Sequence, residues 1–183
     1  MKKINIAILM SLMAASSAYA DNTGKAYIAA DAGRANFVPT QTYDNPTMIR
    51  IAGGYHFSPL LAVEIGYTKF SEVSAYYTSG KITLSTTSLH AVAIGSYPLT
   101  PKFDLTAKLG MSQNTLDAKA TGNVTIVGGN PTTTSSVMYG VGVQYHVTSK
   151  VSIRGQYEDY GALNSTSPTV NMTATSVGVI YNF

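Results

Sequence analysis

Three histidines have the most versatile side-chain chemistry in this chain, since histidine can bind a metal or transfer a proton. His56, His90 and His146 lie far apart in the sequence, and the chain has no cysteine, so the ligand spacing typical of a zinc site is absent. We therefore predict that these histidines are polar filler inside the fold. The chain is expected to have no metal-binding, cofactor-binding or catalytic residue.

An acyl-transferring enzyme is the alternative function that the histidines suggest. Such an enzyme needs a histidine oriented beside a serine, with an acid or an amide behind it. A threonine, Thr148, stands two residues after His146, and no nucleophile stands two residues after His90, although Ser88 precedes it. These missing partners favour a protein that is not an enzyme.

A set of ionisable residues offers a different chemistry, the pairing of buried charges. Most of them stand between two apolar or small neighbours, as Glu64 does between Val63 and Ile65. If the backbone turns them all to one side, they can form an internal network, with Glu64 and Arg154 as the expected direct pair. The predicted network is Asp31, Arg50, Glu64, Lys108, Arg154 and Glu158, and Tyr27 and Asp104 share its orientation.

The elements that must position these residues are β-strands, because apolar residues recur at every second position. Between 137 and 147 the odd-numbered residues are apolar and most of the even-numbered ones are small or polar. The final segment up to Phe183 repeats this alternation, and a period of two is typical of strands. In a soluble sandwich the apolar side would face a second sheet, whereas in a membrane barrel it faces lipid.

A motif that occurs three times marks tight turns between the strands. It reads Tyr, any residue, an apolar residue, Ser or Thr, then Pro or Ser, and it begins at Tyr55, Tyr97 and Tyr145. Short turns that alternate with long loops are typical of outer-membrane barrels. The seven prolines all fall in connections or at strand ends, as expected of a residue that cannot donate to a strand ladder. The long polar connections are expected near 37–47, 71–85, 114–135 and 161–172.

The predicted fold is therefore all-β: an eight-stranded antiparallel up-and-down transmembrane β-barrel. Strands 3 and 4 are expected to continue beyond the membrane into a hairpin around Ser79-Gly80. The eight strands are predicted near 25–36, 48–57, 61–70, 86–98, 102–113, 136–147, 150–160 and 173–183. Aromatic residues are expected as two belts at the membrane boundaries. One belt would hold Tyr55, Phe57, Tyr97, Phe103, Tyr145, Tyr181 and Phe183, and the other Phe37, Phe70 and Tyr160.

The N-terminal segment predicts export. A positively charged start precedes an apolar stretch over 4–15, and Ala18-Tyr19-Ala20 is typical of a cleavage site. We predict a cleaved signal peptide over 1–20 and a barrel domain over 21–183, located in the cell outer membrane. Removing the two N-terminal lysines from the twelve Lys and Arg leaves ten cations against nine acids, a balance that does not favour nucleic-acid binding.

Several segments resemble one known family. Residues 50–67 contain Gly-Gly-Tyr and Glu-x-Gly-Tyr pieces, residues 106–110 read Thr-Ala-Lys-Leu-Gly, and residues 176–183 read Ser-Val-Gly-Val-Ile-Tyr-Asn-Phe. These segments resemble the transmembrane domain of outer-membrane protein A and its small barrel relatives, over essentially the whole mature chain. We expect no second, peptidoglycan-binding domain after the barrel, so a tether to the cell wall cannot be assumed.

The resemblance has two implications for particular residues. Glu64, Lys108 and Arg154 match inward residues that form salt bridges in that family. A further family acid–base pair is replaced here by Gln144 and Ile94, and the loss of both partners together avoids an unpaired buried charge. The resemblance also implies an assembly signal that the barrel-assembly machinery reads: Val177, Val179, Tyr181 and Phe183.

We predict an integral outer-membrane protein with a structural, surface-facing role, a monomer whose interior is plugged and whose four loops are extracellular. Outer-membrane lipid and lipopolysaccharide are the expected partners, together with the barrel-assembly machinery and periplasmic chaperones during biogenesis. A loop-mediated adhesin and a narrow low-conductance pore are the alternatives. The sequence does not choose among these functions, because surface loops determine function and vary freely. Cations that could meet lipid phosphates are Arg34, Lys69, Lys81 and Lys119.

Overall fold

The computed structural model describes residues 23–38, 46–77, 80–122, 131–162 and 171–183. The residues in these ranges form nine strands, and none of them belongs to a helix long and apolar enough to cross a bilayer. The strands are β1 (Ala26–Val38), β2 (Thr47–Ser58), β3 (Leu61–Phe70), β4 (Val73–Tyr77), β5 (Gly80–Thr100), β6 (Phe103–Gly122), β7 (Thr132–His146), β8 (Val151–Ala162) and β9 (Asn171–Asn182).

The strands close into a barrel. Strands that follow one another in the chain pair antiparallel, except that β3 pairs with β5 rather than with β4. β1 also pairs with β9. The short strand β4 continues the line of β3 along β5, so the closed circuit has eight strand positions. The predicted eight-stranded antiparallel barrel is therefore confirmed.

The sheet continues past the membrane-spanning strands at the predicted hairpin and also along β6, where no extension was predicted. β5 begins at Gly80, six residues before the predicted strand, and β6 ends at Gly122, nine residues after the predicted one. β4 pairs with β5 up to Tyr77 and Gly80. Gly80 lies where the hairpin was predicted, whereas Ser79 is outside the described residues. The predicted loop over 71–85 is thus largely a paired extension of the sheet.

The connections differ at the two ends of the barrel. At one end, the turn end, the connections are residues 59–60, 101–102 and 147–150. The hydroxyl shared by the threefold motif explains these turns. Ser58, Thr100 and Thr148 each accept a hydrogen bond from a backbone N–H two or three residues later, at 3.3, 3.1 and 2.9 Å. We call the opposite end of the barrel, where β1 ends at Val38 and β2 begins at Thr47, the loop end.

The apolar side of the strands faces outward. Ile65 and Val141 are 63% and 59% exposed, and Val143 and Val179 are about half exposed. These four side chains do not meet between stacked layers, which excludes the sandwich that the same alternation could have formed. Their exposure is typical of a surface that contacts hydrocarbon.

The aromatic belts agree with the prediction at one end only. At the turn end the predicted aromatics are exposed, apart from Tyr145, which is half-buried. At the loop end the prediction is wrong for Phe70 and Tyr160, which are fully buried inside the barrel and contact each other edge to face. The physical reason is strand parity, because Phe70 lies on the same side of β3 as Glu64. The side chain of Phe37 is outside the described residues.

Candidate functional site

Six charged side chains meet in the barrel interior and form a closed ring of ion pairs. Acids and bases alternate around this ring, with nitrogen–oxygen distances between 2.5 and 3.1 Å. No side chain of the ring is more than 5% exposed. The order around the ring is Asp31, Arg50, Glu158, Lys108, Glu64 and Arg154, which pairs again with Asp31.

Three carboxylates and three cations make the ring electrically neutral. The arrangement is required by burial, since a single unpaired charge in a low-dielectric interior costs several kcal/mol. These are the six residues of the network predicted from the sequence. Glu64 and Arg154, the expected direct pair, are in contact through Oε2 and Nη1.

Glycine on an intervening strand lets ring members reach each other. Gly178 is the register partner of both Asp31 and Arg154, and a Cβ atom there would collide with the Asp31 carboxylate. In the same way, Gly140 lies between Lys108 and Glu158. A larger side chain at either position would occupy the space through which the flanking charges pair.

Polar side chains complete the hydrogen bonding of the ring. The Tyr27 hydroxyl donates to Glu64 at 3.0 Å, across Gly54, which pairs with both residues. Gln156 donates from Nε2 to Asp31 at 3.1 Å. Sequence parity predicted that Tyr27 points inward. Gln156 was not identified, although it lies on β8 midway between Arg154 and Glu158 and shares their orientation.

A mostly apolar layer covers the ring on the side of the loop end. Phe70, Tyr160 and three methionines are buried there, and the Tyr160 hydroxyl accepts a hydrogen bond from Arg50 at 3.2 Å. His90 packs edge to face against Tyr160, and neither of its ring nitrogens has a hydrogen-bond partner among the described residues. The imidazole of His90 is thus buried against an aromatic ring. The methionines are Met48, Met138 and Met172.

A second polar cluster lies toward the turn end. Nε2 of His146 is 2.8 Å from Oδ2 of Asp104, and its Nδ1 is 2.9 Å from Oγ of Ser152. Ser152 faces His146 from the neighbouring strand β8. The spacing of a serine from a histidine along one strand therefore does not predict this pair. Serine, histidine and aspartate together are the composition of a hydrolytic triad. Ser152 is fully buried, so an acyl substrate cannot reach its hydroxyl in this arrangement.

A small cavity lies against Lys108 and Arg154 of the ring and is also lined by His56. It measures about 20 Å³, room for roughly one water molecule. Ile94 and Gln144, which stand where the resembled family has a further charged pair, both line it. Among the described residues no cluster of three histidines or acids could hold a metal ion.

The remaining predicted site residues lie on the last strand. Val177, Val179 and Tyr181 point outward from β9, and Phe183 follows it with a side chain that is 60% exposed. The Phe183 backbone N–H donates to Ala26 at 3.1 Å, so the chain end is held against the start of β1. The strand that would carry the assembly signal is thus also one side of the seam that closes the barrel.

Curated relatives match the whole chain. It is 27% identical over 198 residues to outer membrane protein A of Escherichia fergusonii and 25% identical over 197 residues to that of Escherichia coli O157:H7. These alignments cover 100% of this chain but 56% and 55% of the relatives. The chain therefore spans about half the length of the curated relatives it matches.

Solved structures share the fold. The neisserial surface protein NspA matches with a TM-score of 0.61 and 22% identity, covering 86% of this chain and 97% of NspA. Ail, the attachment invasion locus protein of Yersinia pestis, matches with a TM-score of 0.57 and 17% identity, covering 88% of this chain and 99% of Ail.

A family model also matches the sequence, under the description "Outer membrane protein beta-barrel domain", over residues 6–183. The closed antiparallel barrel, its apolar exterior and its polar interior agree with that match. The outer membrane is accordingly the location of this protein. The chain belongs to the outer membrane protein beta-barrel domain family, as a small barrel similar to that of outer membrane protein A.

Proposed function

We propose that this outer-membrane protein has a structural, surface-facing role, with a plugged interior and four extracellular loops. The ring of ion pairs is the observation that carries the proposal. An eight-stranded barrel is just wide enough for side chains to fill. Here Glu64 of β3 pairs with Arg154 of β8, four strand positions away across the barrel, and the other four charges complete the ring. Conduction would require these pairs to separate in a low-dielectric interior.

The expected orientation follows from the connections. Outer-membrane barrels have short periplasmic turns and longer extracellular loops. On this basis the turn end faces the periplasm and the loop end faces outward. We also propose cleavage after Ala20, a monomeric state and no enzymatic activity, the last because the buried Ser152 offers no accessible nucleophile.

Biogenesis supplies a further set of proposed partners. The outward row of Val177, Val179 and Tyr181, followed by Phe183, is available to the barrel-assembly machinery before β9 pairs with β1. Periplasmic chaperones would hold the unfolded chain, because its strands expose apolar side chains on one face. Lipid and lipopolysaccharide surround the finished barrel.

Conductance in planar lipid bilayers tests the plug. The wild-type protein should give no discrete current steps. The double variant Lys108→Ala/Glu158→Ala removes one acid and one base and opens the ring while keeping it neutral, so steps should appear. The control Lys102→Ala/Glu72→Ala removes exposed residues of the same types and should stay silent. Gel mobility without boiling shows whether each variant folds.

A narrow pore is the second candidate function. The cavity beside Ile94 and Gln144 favours it, because the interior is incompletely filled there. Discrete steps from the wild-type protein in the same bilayers would establish this function and refute the plug.

A further inference from the structure

Three strands continue past the barrel at the loop end and form a small sheet. β5 and β6 have 21 and 20 residues, about twice the number that a tilted strand needs to cross a membrane. β5 pairs with β3 as far as Thr87, and β6 pairs with β7 as far as Leu116. Beyond these residues, in the described part of the chain, the two strands pair only with each other and with β4. We call this part, residues 73–77, 80–86 and 117–122, the projecting sheet.

The two edges of the projecting sheet differ in charge. β4 is the last strand in the order of the sheet, so its outer backbone groups have no partner strand among the described residues. The opposite edge is the end of β6, where Asp117 and Lys119 stand and form an ion pair at 3.9 Å. Charged side chains on an edge strand discourage a further strand from pairing. β4, which reads Val-Ser-Ala-Tyr-Tyr, has neither a charge nor a proline, so it is the edge that can accept another strand.

The two faces of the projecting sheet differ in polarity beside β4. Val73 of β4 pairs with Leu84 of β5, and both side chains are half-buried. Leu84 lies on the same side of β5 as the inward-pointing His90. On the opposite side of β5, Thr83 and Ser85 are polar and half-buried. A strand added to β4 would place every second side chain on the face of Val73, where an apolar residue is favoured, and the others on the polar face.

A second copy of this chain in the same membrane fits the β4 edge poorly. Two barrels in one membrane have the same orientation, so their β4 strands run in the same direction. An antiparallel pair of β4 strands would require one barrel to be inverted, and parallel pairing is the less stable arrangement. A peptide segment of another protein meets no such restriction, because it can lie along β4 in either direction.

We propose that β4 is a docking site for an extended peptide segment of a partner protein outside the cell, which adds a fourth strand to the projecting sheet. Main-chain hydrogen bonds to β4 supply the affinity, and alternating apolar and polar side chains supply the fit to the two faces. The proposal rests on the proposed function in one respect, the outward orientation of the loop end.

The test measures binding of a fluorescent synthetic peptide to the full chain in detergent micelles by fluorescence anisotropy. The probe is Gly-Lys-Ile-Thr-Leu-Ser-Thr, the sequence of residues 80–86, because residues 80–84 already pair with the inner edge of β4. The wild-type protein should bind this probe. The same peptide N-methylated throughout keeps its side chains but loses its N–H donors, and it should not bind.

Charge substitutions at one residue of β4 test the register of the added strand. If the probe pairs with the outer edge of β4 as β5 pairs with the inner edge, its lysine lies opposite Tyr76, as Lys81 does. Tyr76→Lys should then weaken binding about fivefold and Tyr76→Glu should strengthen it, because like charges opposite each other destabilise a strand pair. Thr121 of β6 is the register partner of Lys81 on its other side. The matched controls Thr121→Lys and Thr121→Glu should leave binding unchanged.

Hydrogen exchange measured by mass spectrometry locates the added strand. The probe should slow amide exchange in residues 73–77 and leave residues 117–121 unchanged. Four outcomes would overturn the docking site: no binding of the probe, equal binding of the N-methylated probe, equal effects of the substitutions at Tyr76 and Thr121, or slowed exchange confined to residues 117–121.

Intact cells test the orientation separately. Cells that display the protein should bind the probe without treatment. Binding that appears only after the outer membrane is permeabilised would refute a partner outside the cell and the outward orientation of the loop end. None of these results affects conductance, so the plug stands or fails independently.

Discussion

Glu64 accepts hydrogen bonds from three different side chains of the barrel interior. Arg154, Lys108 and Tyr27 all donate to its two carboxylate oxygens. Truncation of Glu64 would therefore leave two buried cations with fewer partners. The loss of stability on truncating Glu64 is expected to be large, because the remaining ring would carry one uncompensated positive charge.

The variant Glu64→Ala is expected to lower the free energy of unfolding by about 3–5 kcal/mol, the cost of breaking a buried pair. Urea denaturation in detergent micelles measures it as a lower midpoint. Glu72→Ala removes an exposed glutamate and should change stability by less than about 0.5 kcal/mol. An unchanged midpoint for Glu64→Ala would refute the pairing.

His90 gives a prediction of the opposite sign. Its ring is buried, and its two nitrogens lack partners among the described residues, so they carry a desolvation cost without a compensating hydrogen bond. His90→Phe keeps an aromatic ring against Tyr160 and should leave the urea midpoint unchanged or raise it. His90→Ala should lower stability by about 2–4 kcal/mol, because a cavity forms. A loss for His90→Phe as large as that for His90→Ala would show that the nitrogens have an unrecognised partner.

At the level of strands, β8 has a bulge beside the buried Tyr160. The register with β9 shifts between Asp159 and Ala162, and Gly161 has a φ of 74°, a left-handed conformation that favours glycine. The backbone there is held by side chains, with Asn114 donating to the Tyr160 carbonyl at 2.8 Å.

Gly161→Ala is expected to destabilise the barrel by about 1–2 kcal/mol, because alanine is strained at this φ. The added Cβ would also contact Ser136. The matched control is Gly155→Ala on the same strand, where the new atom would meet only Val143, at 3.9 Å. Thermal unfolding followed by circular dichroism compares the two, and equal melting temperatures would contradict the role of the bulge.

The last strand makes a prediction about assembly. Phe183→Ala removes an exposed ring, so refolding into detergent should be nearly unchanged, whereas the amount of protein inserted in cells should fall severalfold. Leu99→Ala, a truncation at another exposed site near the turn end, is the control for a general loss of apolar surface. Immunoblots of outer-membrane fractions measure the inserted protein. Equal insertion of both variants would refute the prediction that Phe183 is part of an assembly signal.

For the whole molecule, closure of the sheet is expected to make the protein resistant to detergent. A closed barrel has no unpaired edge at which detergent can open the sheet. The protein should therefore resist cold SDS, migrate differently on gels before and after boiling, and fractionate with the outer membrane. A protein found in the soluble periplasmic fraction, with one mobility, would contradict both the fold and its orientation in lipid.

The sequence alone predicted most of the strands and the six members of the ring. The reason is that a period of two assigns every side chain to one of two faces, and charged residues cannot occupy the face that contacts hydrocarbon. The same rule, applied to Phe70, would have placed it inside. The predicted interfacial position of Phe70 did not take this alternation into account.

The tertiary structure decided which residues pair. His146 and Ser152 are neighbours across two strands, and Gly178 joins Asp31 to Arg154, contacts that depend on the register between strands. Register is a property of the closed sheet, since a shift of one residue would reverse the faces of a whole strand. The alternation in the sequence therefore determined what lies inside the barrel, and barrel closure determined which of those residues meet.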